Sequence, residues 1–380
     1  MQHPTSAYIH IPFCAAKCGY CDFNSYAGLM PLAQRYVDAL CKQIASTDPG
    51  ADSEKLHTVF FGGGTPSILQ AQHLVTILDT IRQAFGFADG SEITMEANPE
   101  SATLDKLQRT RDAGFNRVSM GAQSFTDETL ISIGRVHTHD TFLAALKNAR
   151  TAGYENISFD LMFGLPGQSL GDVQQMMKKA IDLGPDHISA YSLTIENSTD
   201  FHTLQASGAL KLPDEDLQSD MFLLIRRMLT EAGFEHYEIS NYAKPGFRCR
   251  HNETYWRNEP YWGFGTGAVE YLGGRRTKWE SNPQLYIEQI ENTGSPQATE
   301  SEYIEGEQLI GETAMLGLRT SDGFNLQSAS QRFGLDVHHL YRNQITKFTH
   351  AGLLRESGDR VCLTENGQLL ANEVIAEFLV

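Results

Sequence analysis

Six short apolar runs recur along the first two hundred residues, most followed by a segment of helical period. The runs are SAYIHIPF (6–13), LHTVFFGGG (56–64), EITMEANP (92–99), FNRVSMGAQS (115–124), NISFDLMFG (156–164) and HISAYSLTIE (187–196). They are rich in β-branched and aromatic residues, and several end in Gly, Asn or Pro, which is the pattern of strands bounded by turns. Between them lie QRYVDALCKQIA, QHLVTILDTIRQAF, TLDKLQRTRDAG, HDTFLAALKNARTAG and VQQMMKKAIDLG. Three of these close on a glycine stop: Gly114, Gly153 and Gly184. Strand–helix units in series feed a parallel sheet covered by helices. Six units fall short of the eight that close a full barrel. The expected fold is α/β, an open partial (βα)6 barrel with its active face at the C-terminal ends of the strands.

Beyond the sixth unit the pattern changes. KPGFRCRHNETYWRNEPYWGFGTGAVEYLGGRR (244–276) is aromatic- and glycine-rich with little helical period. Helical periodicity returns near residue 305, and the remainder reads as helices, a short hairpin and a last helix, which resembles a winged-helix module. The expected organisation is a barrel over 1–240, a connecting region over 241–304 and a winged-helix-like α+β domain over 305–380. The usual inference from such a module is DNA. The chain's 380 residues carry 30 Lys and Arg against 47 Asp and Glu, a net charge of −17. Bulk attraction to nucleic acid needs the opposite sign, so the module is read as a packing or partner-docking element, with no nucleic acid among the partners. The first ten residues carry no basic n-region or apolar h-region, and no apolar run approaches a membrane span. The expected location is the cytoplasm, where the six cysteines should be thiols or metal ligands rather than disulfides.

CAAKCGYC (14–21) spaces Cys14, Cys18 and Cys21 as C-x3-C-x2-C directly after the first strand. Thiolates suit iron–sulfur clusters and zinc. A zinc site wants a fourth nearby Cys or His, and none is apparent: Cys41 falls in a predicted helix, and Cys249 and Cys362 are isolated. Three cysteines at the mouth of a parallel barrel are better explained by a [4Fe-4S] cluster with one iron left open.

YIHIPFCAAKCGYCDF (8–23) resembles the opening of the radical S-adenosylmethionine (SAM) superfamily. The later blocks FGGGTPS, MEANPE, SMGAQSF, IGRVH and FDLMFGLPGQ resemble its coproporphyrinogen-oxidase-related branch, and the likeness runs along essentially the whole chain. The resemblance implies SAM chelated at the open iron, where electron transfer from the cluster can cleave the sulfonium to a 5′-deoxyadenosyl radical. It also implies a SAM pocket. Gly63, Gly64 and Thr65, in a glycine-rich turn that is not a phosphate loop because no Lys-Ser/Thr follows, would hold the SAM amino group. Glu96, closing the third strand, would pair with the ammonium or the ribose. Gln123 at the end of the fourth strand, Arg135, and Asp160 in the fifth strand would complete the pocket, with Tyr8 and Tyr20 flanking the cluster loop. Thr194, ending the sixth strand, and Val269 follow from the same pattern.

Within that branch two relatives differ in function, and three features favour the HemW-type heme chaperones over the oxygen-independent coproporphyrinogen III oxidases. Cys21-Asp22-Phe23 lacks the oxidase's further cysteine, only thirteen residues precede Cys14, and HNETYW (251–256) matches a heme-associated HNxxYW motif. The resemblance therefore implies heme contacts from His251, Asn252, Tyr255 and Trp256. His251 is a candidate axial ligand and Cys249 a rival; C-x-x-C-H is absent, which excludes c-type attachment. The implied function is delivery of heme to an acceptor apo-hemoprotein, with the oxidase as the alternative. Family members can form homodimers when the cluster assembles, and a respiratory acceptor would bring peripheral membrane contact.

Overall fold

The computed structural model of the chain describes residues 3–379. The first two residues of the stretch read for a leader, and the terminal Val380, lie outside it. Strand β1 (Ser6–Ile11) enters a loop whose short strands β2 (Phe13–Cys14) and β3 (Tyr26–Ala27) pair in parallel across the cysteine segment. Then come α1 (Ala33–Ser46), β4 (Leu56–Gly63), α2 (Ala71–Phe85), β5 (Phe87–Ala97), α3 (Leu104–Ala113) and β6 (Arg117–Gln123). The barrel continues through α4 (Asp127–Ser132), α5 (His139–Thr151), β7 (Asn156–Phe163), α6 (Leu170–Asp182) and β8 (His187–Ser192). Helices α3, α5 and α6 end just ahead of Gly114, Gly153 and Gly184. Helix α6 starts at a reciprocal capping box between Ser169 and Asp172.

The six expected strands form one parallel array in the order β1-β4-β5-β6-β7-β8. After α7 (Asp200–Ala206) and α8 (Glu215–Glu231), strands β9 (Glu235–His236) and β10 (Asn241–Ala243) extend it antiparallel beyond β8. On the far edge β11 (Trp262–Phe264) adds in parallel to β1, Tyr8 opposite Gly263. The array is thus a nine-stranded open sheet, mostly parallel, a partial barrel.

Three expectations change here. Residues 241–304 do not simply connect two bodies, because β10 and β11 are barrel strands. The segment read as lacking helical period contains α9 (Arg250–Trp256), which carries all of HNETYW. Its seven residues are too few to display a period. The sixth strand also ends at Ser192 rather than 196, because its neighbour β7 ends at Phe163, opposite Ser192; Thr194 lies beyond it, exposed.

The two-residue strand period divides the barrel into two chemistries. Ala7, Ile9, Val59, Phe61, Val118 and Met120 point to the covering helices and are fully buried. Each such aliphatic or phenyl side chain contributes about 1.5–3 kcal/mol by leaving water. The alternate positions face the interior and are polar: Ser6, Tyr8 and His10 on β1, Glu92 and Glu96 on β5, Ser119 on β6, Asp160 on β7.

A small antiparallel sheet of β12 (Val269–Leu272), β13 (Arg275–Trp279) and, after α10 (Pro283–Thr293), β14 (Ala298–Tyr303) follows the barrel. The last module comprises α11 (Gly306–Leu318), β15 (Phe324–Asn325), α12 (Leu326–Phe333), α13 (Val337–Leu340), α14 (Arg342–His350), the hairpin β16 (Leu354–Ser357) and β17 (Arg360–Leu363), then α15 (Glu365–Leu369) and α16 (Ala371–Ala376). It has its own apolar core around Leu318, Val337, Tyr341, Val361 and Phe378, in the winged-helix-like arrangement expected.

Candidate functional site

The cysteine loop leaves the C-terminal end of β1. Cys14, Cys18 and Cys21 are all partly exposed, and a tight turn brings Cys21 N–H to the Cys18 carbonyl at 3.1 Å. Each sulfur has a polar neighbour: Thr65 Oγ1 lies 3.5 Å from Cys14 Sγ, Arg135 Nη1 3.8 Å from Cys18 Sγ and Ser25 Oγ 3.9 Å from Cys21 Sγ. Among the described residues no three Cys, His, Asp or Glu side chains converge tightly enough to hold a single metal ion. A cluster makes no such demand, since its cysteines take separate irons. The donor set therefore fits three corners of a [4Fe-4S] group.

The glycines at the end of β4 let backbone pass close to the cysteine loop and to His10. A Cβ on Gly64 would stand 2.7 Å from the Phe13 carbonyl oxygen and 3.0 Å from Cys14 Sγ; one on Gly63, whose φ is +112°, would run into the His10 ring at 2.6 Å. The Gly63 N–H donates to Glu96 Oε2 at 3.1 Å. Thr65 accepts from Asn98 Nδ2 at 3.1 Å, and Asn98 Oδ1 accepts from Arg135 Nη2 at 2.6 Å. Arg135 also reaches the Gly121 carbonyl at 3.1 Å. At the same bulged strand end Gln123 adopts a φ of +61° and accepts from the Tyr191 hydroxyl at 2.6 Å. A left-handed non-glycine residue is strained, and such strain clusters at functional sites.

Below the mouth the interior is polar and buried. Burial first, then Asp160, pushes the Glu96 carboxyl up to about 8. Asp160 is raised by burial too, opposed by the Ser119 hydroxyl, which donates to it at 3.0 Å, and by Arg117. Tyr8 hydrogen-bonds His10 Nδ1 at 3.1 Å, and burial drives His10 down to about 4.

The structure brings Tyr8, Gly63, Gly64, Thr65, Glu96, Gln123 and Arg135 around one cup with the cysteines, and Asp160 beneath it. Tyr20 packs at its edge against Phe201, ring centroids 6.3 Å apart. Val269 opens β12 two residues after Gly267, which abuts Asn24 of the cysteine loop. Thr194 is not joined to this network. Sequence reasoning missed Asn98, Tyr191 and His10, although each lies inside a stretch it quoted: MEANPE, HISAYSLTIE and YIHIPF.

The HNETYW helix lies at the other end of the barrel and splits its motif between two faces. Toward the interior, Thr254 sits in a hydrogen bond with Ser6, the first residue of β1, at 2.8 Å, and His251 Nδ1 with Thr58 Oγ1 at 2.8 Å. His251 Nε2 is taken by the Tyr255 hydroxyl at 2.9 Å. The ring is 1% exposed, and burial pushes it down to about 3. Glu92 receives the Arg250 and His251 N–H groups, each at 3.1 Å. Cys249 is fully buried, 3.7 Å from Glu92, and its thiol is pushed up to about 12 by burial. Neither candidate heme ligand presents a free donor atom in this conformation. Toward the outside, Glu253, Trp256 and Arg257 wall a cleft of about 1190 Å³ shared with the last module.

Comparisons with known proteins agree with this architecture. Residues 8–180 match the model of the radical SAM superfamily and 304–370 that of the HemN C-terminal domain. The heme chaperone HemW of Bacillus subtilis is 39% identical over 98% of this chain and 99% of its own length. That of Escherichia coli is 37% identical over 99% and 98%. The solved coproporphyrinogen III oxidase HemN of Escherichia coli, a radical SAM enzyme, superposes with a TM-score of 0.86 at 23% identity, covering 100% of this chain and 91% of that one. With a partial barrel, a three-cysteine mouth and relatives of this identity along its whole length, the chain belongs to the HemW family of radical SAM proteins.

Proposed function

We propose that this protein is a heme chaperone that holds a [4Fe-4S] cluster on Cys14, Cys18 and Cys21, takes SAM at the open iron, and passes heme to an acceptor apo-hemoprotein. The observation that carries the reading is the partly exposed three-cysteine loop over a polar cup, in a chain whose full-length relatives are named heme chaperones. When bound, the cluster supplies a reducing electron and SAM a cleavable sulfonium. The protein's part is electrostatic and steric. Glu96 offers a buried carboxyl as acceptor to the amino N–H groups of the methionyl moiety, at a site where burial strengthens polar contacts. Arg135 sets a guanidinium 3.8 Å from Cys18 Sγ, where it can donate to the sulfur. Gly63 and Gly64 bring backbone up to the loop where any side chain would block it. Tyr8, Tyr20, Gln123 and Asp160 shape the remaining walls.

The test is titration with heme of protein reconstituted anaerobically with iron and sulfide, alongside turnover with coproporphyrinogen, SAM and a reductant. Saturable heme binding without decarboxylation supports the chaperone. Formation of protoporphyrinogen would replace it with the oxidase.

A further inference from the structure

We propose that the cleft between the HNETYW helix and the C-terminal module is a porphyrin site that grips the macrocycle and its carboxylates and leaves the iron without a strong protein ligand. This rests on the heme-binding reading and says where and how the cargo is held.

At about 1190 Å³ the cleft exceeds the roughly 300–1,000 Å³ of ordinary small-molecule pockets, so a flat tetrapyrrole is within its range. One wall is Trp256, whose indole Nε1 is buried without a partner. The Arg319 guanidinium sits over its ring, 5.5 Å from the centroid. An aromatic wall backed by a guanidinium suits a flat macrocycle. Tyr271, buried, and Phe324 of β15 also contribute to the lining.

The charges are matched unevenly. Arg248 is neutralised by Asp322 at 2.9 Å and Glu235 at 3.2 Å, and Arg257 meets Glu253 at 3.3 Å. Arg332 and Arg360, on the wall from the C-terminal module, have no carboxylate partner among the described residues. Their guanidinium groups donate to backbone carbonyls, Arg332 to Asn258 at 3.0 Å and Arg360 to Asp322 at 3.0 Å, and Arg332 also lies over the Phe333 ring, 5.3 Å from its centroid. Two guanidiniums outside any ion pair on an aromatic-walled cleft complement a planar ligand with two carboxylates, although Glu259, close to Arg332, and Glu305 lie on the same lining. Burial of Glu259 favours its neutral acid.

Among the described residues the lining contains no His, Cys or Met. Its tyrosines, Tyr237 and Tyr271, are held as neutral phenols, burial being the first cause in each. Tyr237 is further committed to His187 at 2.8 Å and to the Cys249 N–H at 3.3 Å. His251 and Cys249 lie one layer beneath, enclosed by the barrel. A carrier built this way surrenders its cargo readily, because the acceptor's own axial ligand meets no competitor at the iron.

The experiment measures tryptophan fluorescence quenching and porphyrin absorbance, with absorbance alone comparing Trp256→Leu, on titrating the full-length protein with heme, iron-free protoporphyrin IX and protoporphyrin dimethyl ester. Wild type is expected to bind protoporphyrin IX within about threefold of heme, and the ester at least about tenfold more weakly, as loss of charged hydrogen bonds implies. Arg332→Ala and Arg360→Ala, both at exposed positions, should each weaken both free-acid porphyrins about tenfold, and Trp256→Leu should weaken all three ligands. Heme binding with no affinity for the iron-free ring, or heme affinity unmoved by the arginine substitutions but lost in His251→Phe, overturns the cleft and leaves the chaperone reading standing. Absence of any heme binding in wild type removes both.

Discussion

His251 lies nearly flat against Phe60, ring centroids 5.2 Å apart and planes inclined by 22°. Phe60 in turn stacks on Tyr8, at 6.3 Å and 22°, and Tyr8 is hydrogen-bonded to His10 beside Gly63. An aromatic column therefore runs through the barrel from the cysteine mouth to the HNETYW helix. Its far end is fixed by two hydrogen bonds on one imidazole, to Thr58 and Tyr255. The motif histidine closes the barrel's N-terminal end, and the motif tryptophan faces the outer cleft. A single short helix thus touches both compartments.

His251→Ala should destabilise the fold by about 3 kcal/mol, because it opens a cavity and leaves Thr58 and Tyr255 unpaired in a dry interior. Urea denaturation of the wild type and the variant measures this. A loss below about 0.5 kcal/mol, the level of a surface substitution, would show that the histidine is not a structural member of the barrel floor.

Acid should unfold the protein for the same reason. Burial pushes His251 down to about 3 and His10 to about 4, from 6.5 in the unfolded chain. Between those values the unfolded state binds protons that the folded state refuses. The stability these groups contribute is complete above pH 6.5 and is lost as pH falls toward 4 and below. His251→Phe keeps a ring on Phe60 but cannot titrate. Its stability should depend less on pH than the wild type's, by up to about 1.4 kcal/mol per pH unit between pH 6 and 4. Parallel curves for the two proteins would refute the assignment.

The β-branched and aromatic content of SAYIHIPF and its five counterparts made the strands legible, and the helical segments between them made the sheet parallel, because both signals are local in sequence. The cysteine spacing placed the mouth for a similar reason: three ligands on one loop are local in sequence. What was not legible is non-local. Nothing in WGF announces that Trp262–Phe264 pairs with β1 more than 250 residues earlier. Asn98 looked like a turn residue after Glu96, and only the packing of β5 beside β6 shows it joining Thr65 to Arg135. The burial of His251 was hidden likewise, since Thr58, Phe60 and Glu92 enclose it from two other strands.

Gly64→Ala should lower cluster content without removing a ligand. The added methyl would meet the Phe13 carbonyl oxygen at 2.7 Å and Cys14 Sγ at 3.0 Å. Backbone does not give way as a flexible side chain would, so the cysteine loop must shift. Iron and sulfide per chain after anaerobic reconstitution are expected to fall below about half of wild type, close-packed interiors transmitting such a displacement rather than absorbing it. Cys14→Ser serves as the reference for loss of one ligand. Full cluster content in Gly64→Ala would mean that Gly64 does not seat the loop.

Binding of SAM should release a proton at neutral pH. The Glu96 carboxyl, pushed up to about 8 by burial and Asp160, is mostly protonated at pH 7 in the free protein. Relative to an unfolded value of 4.5, this raised pKa contributes stability that is present below pH 4.5 and is lost as pH climbs toward 8. The amino group of SAM would become a neutral amine on chelating the iron and give up its own proton in wild type and variant alike; the sulfonium cation and the amine N–H donors brought beside the carboxyl would favour its ionised form and release a further one. Calorimetric titration in two buffers of different ionisation enthalpy should then report close to one proton more released per SAM by wild type than by Glu96→Gln at pH 7, the difference falling toward zero above pH 9. Glu96→Gln should also weaken SAM about tenfold or more, as loss of a charged hydrogen bond implies. The same substitution should flatten the decline in stability between pH 5 and 8, a readout that needs no ligand. If wild type and Glu96→Gln released the same number of protons while the stability slope behaved as expected, Glu96 would be buried and neutral but not the partner of SAM, and that role would pass to another acceptor at the mouth.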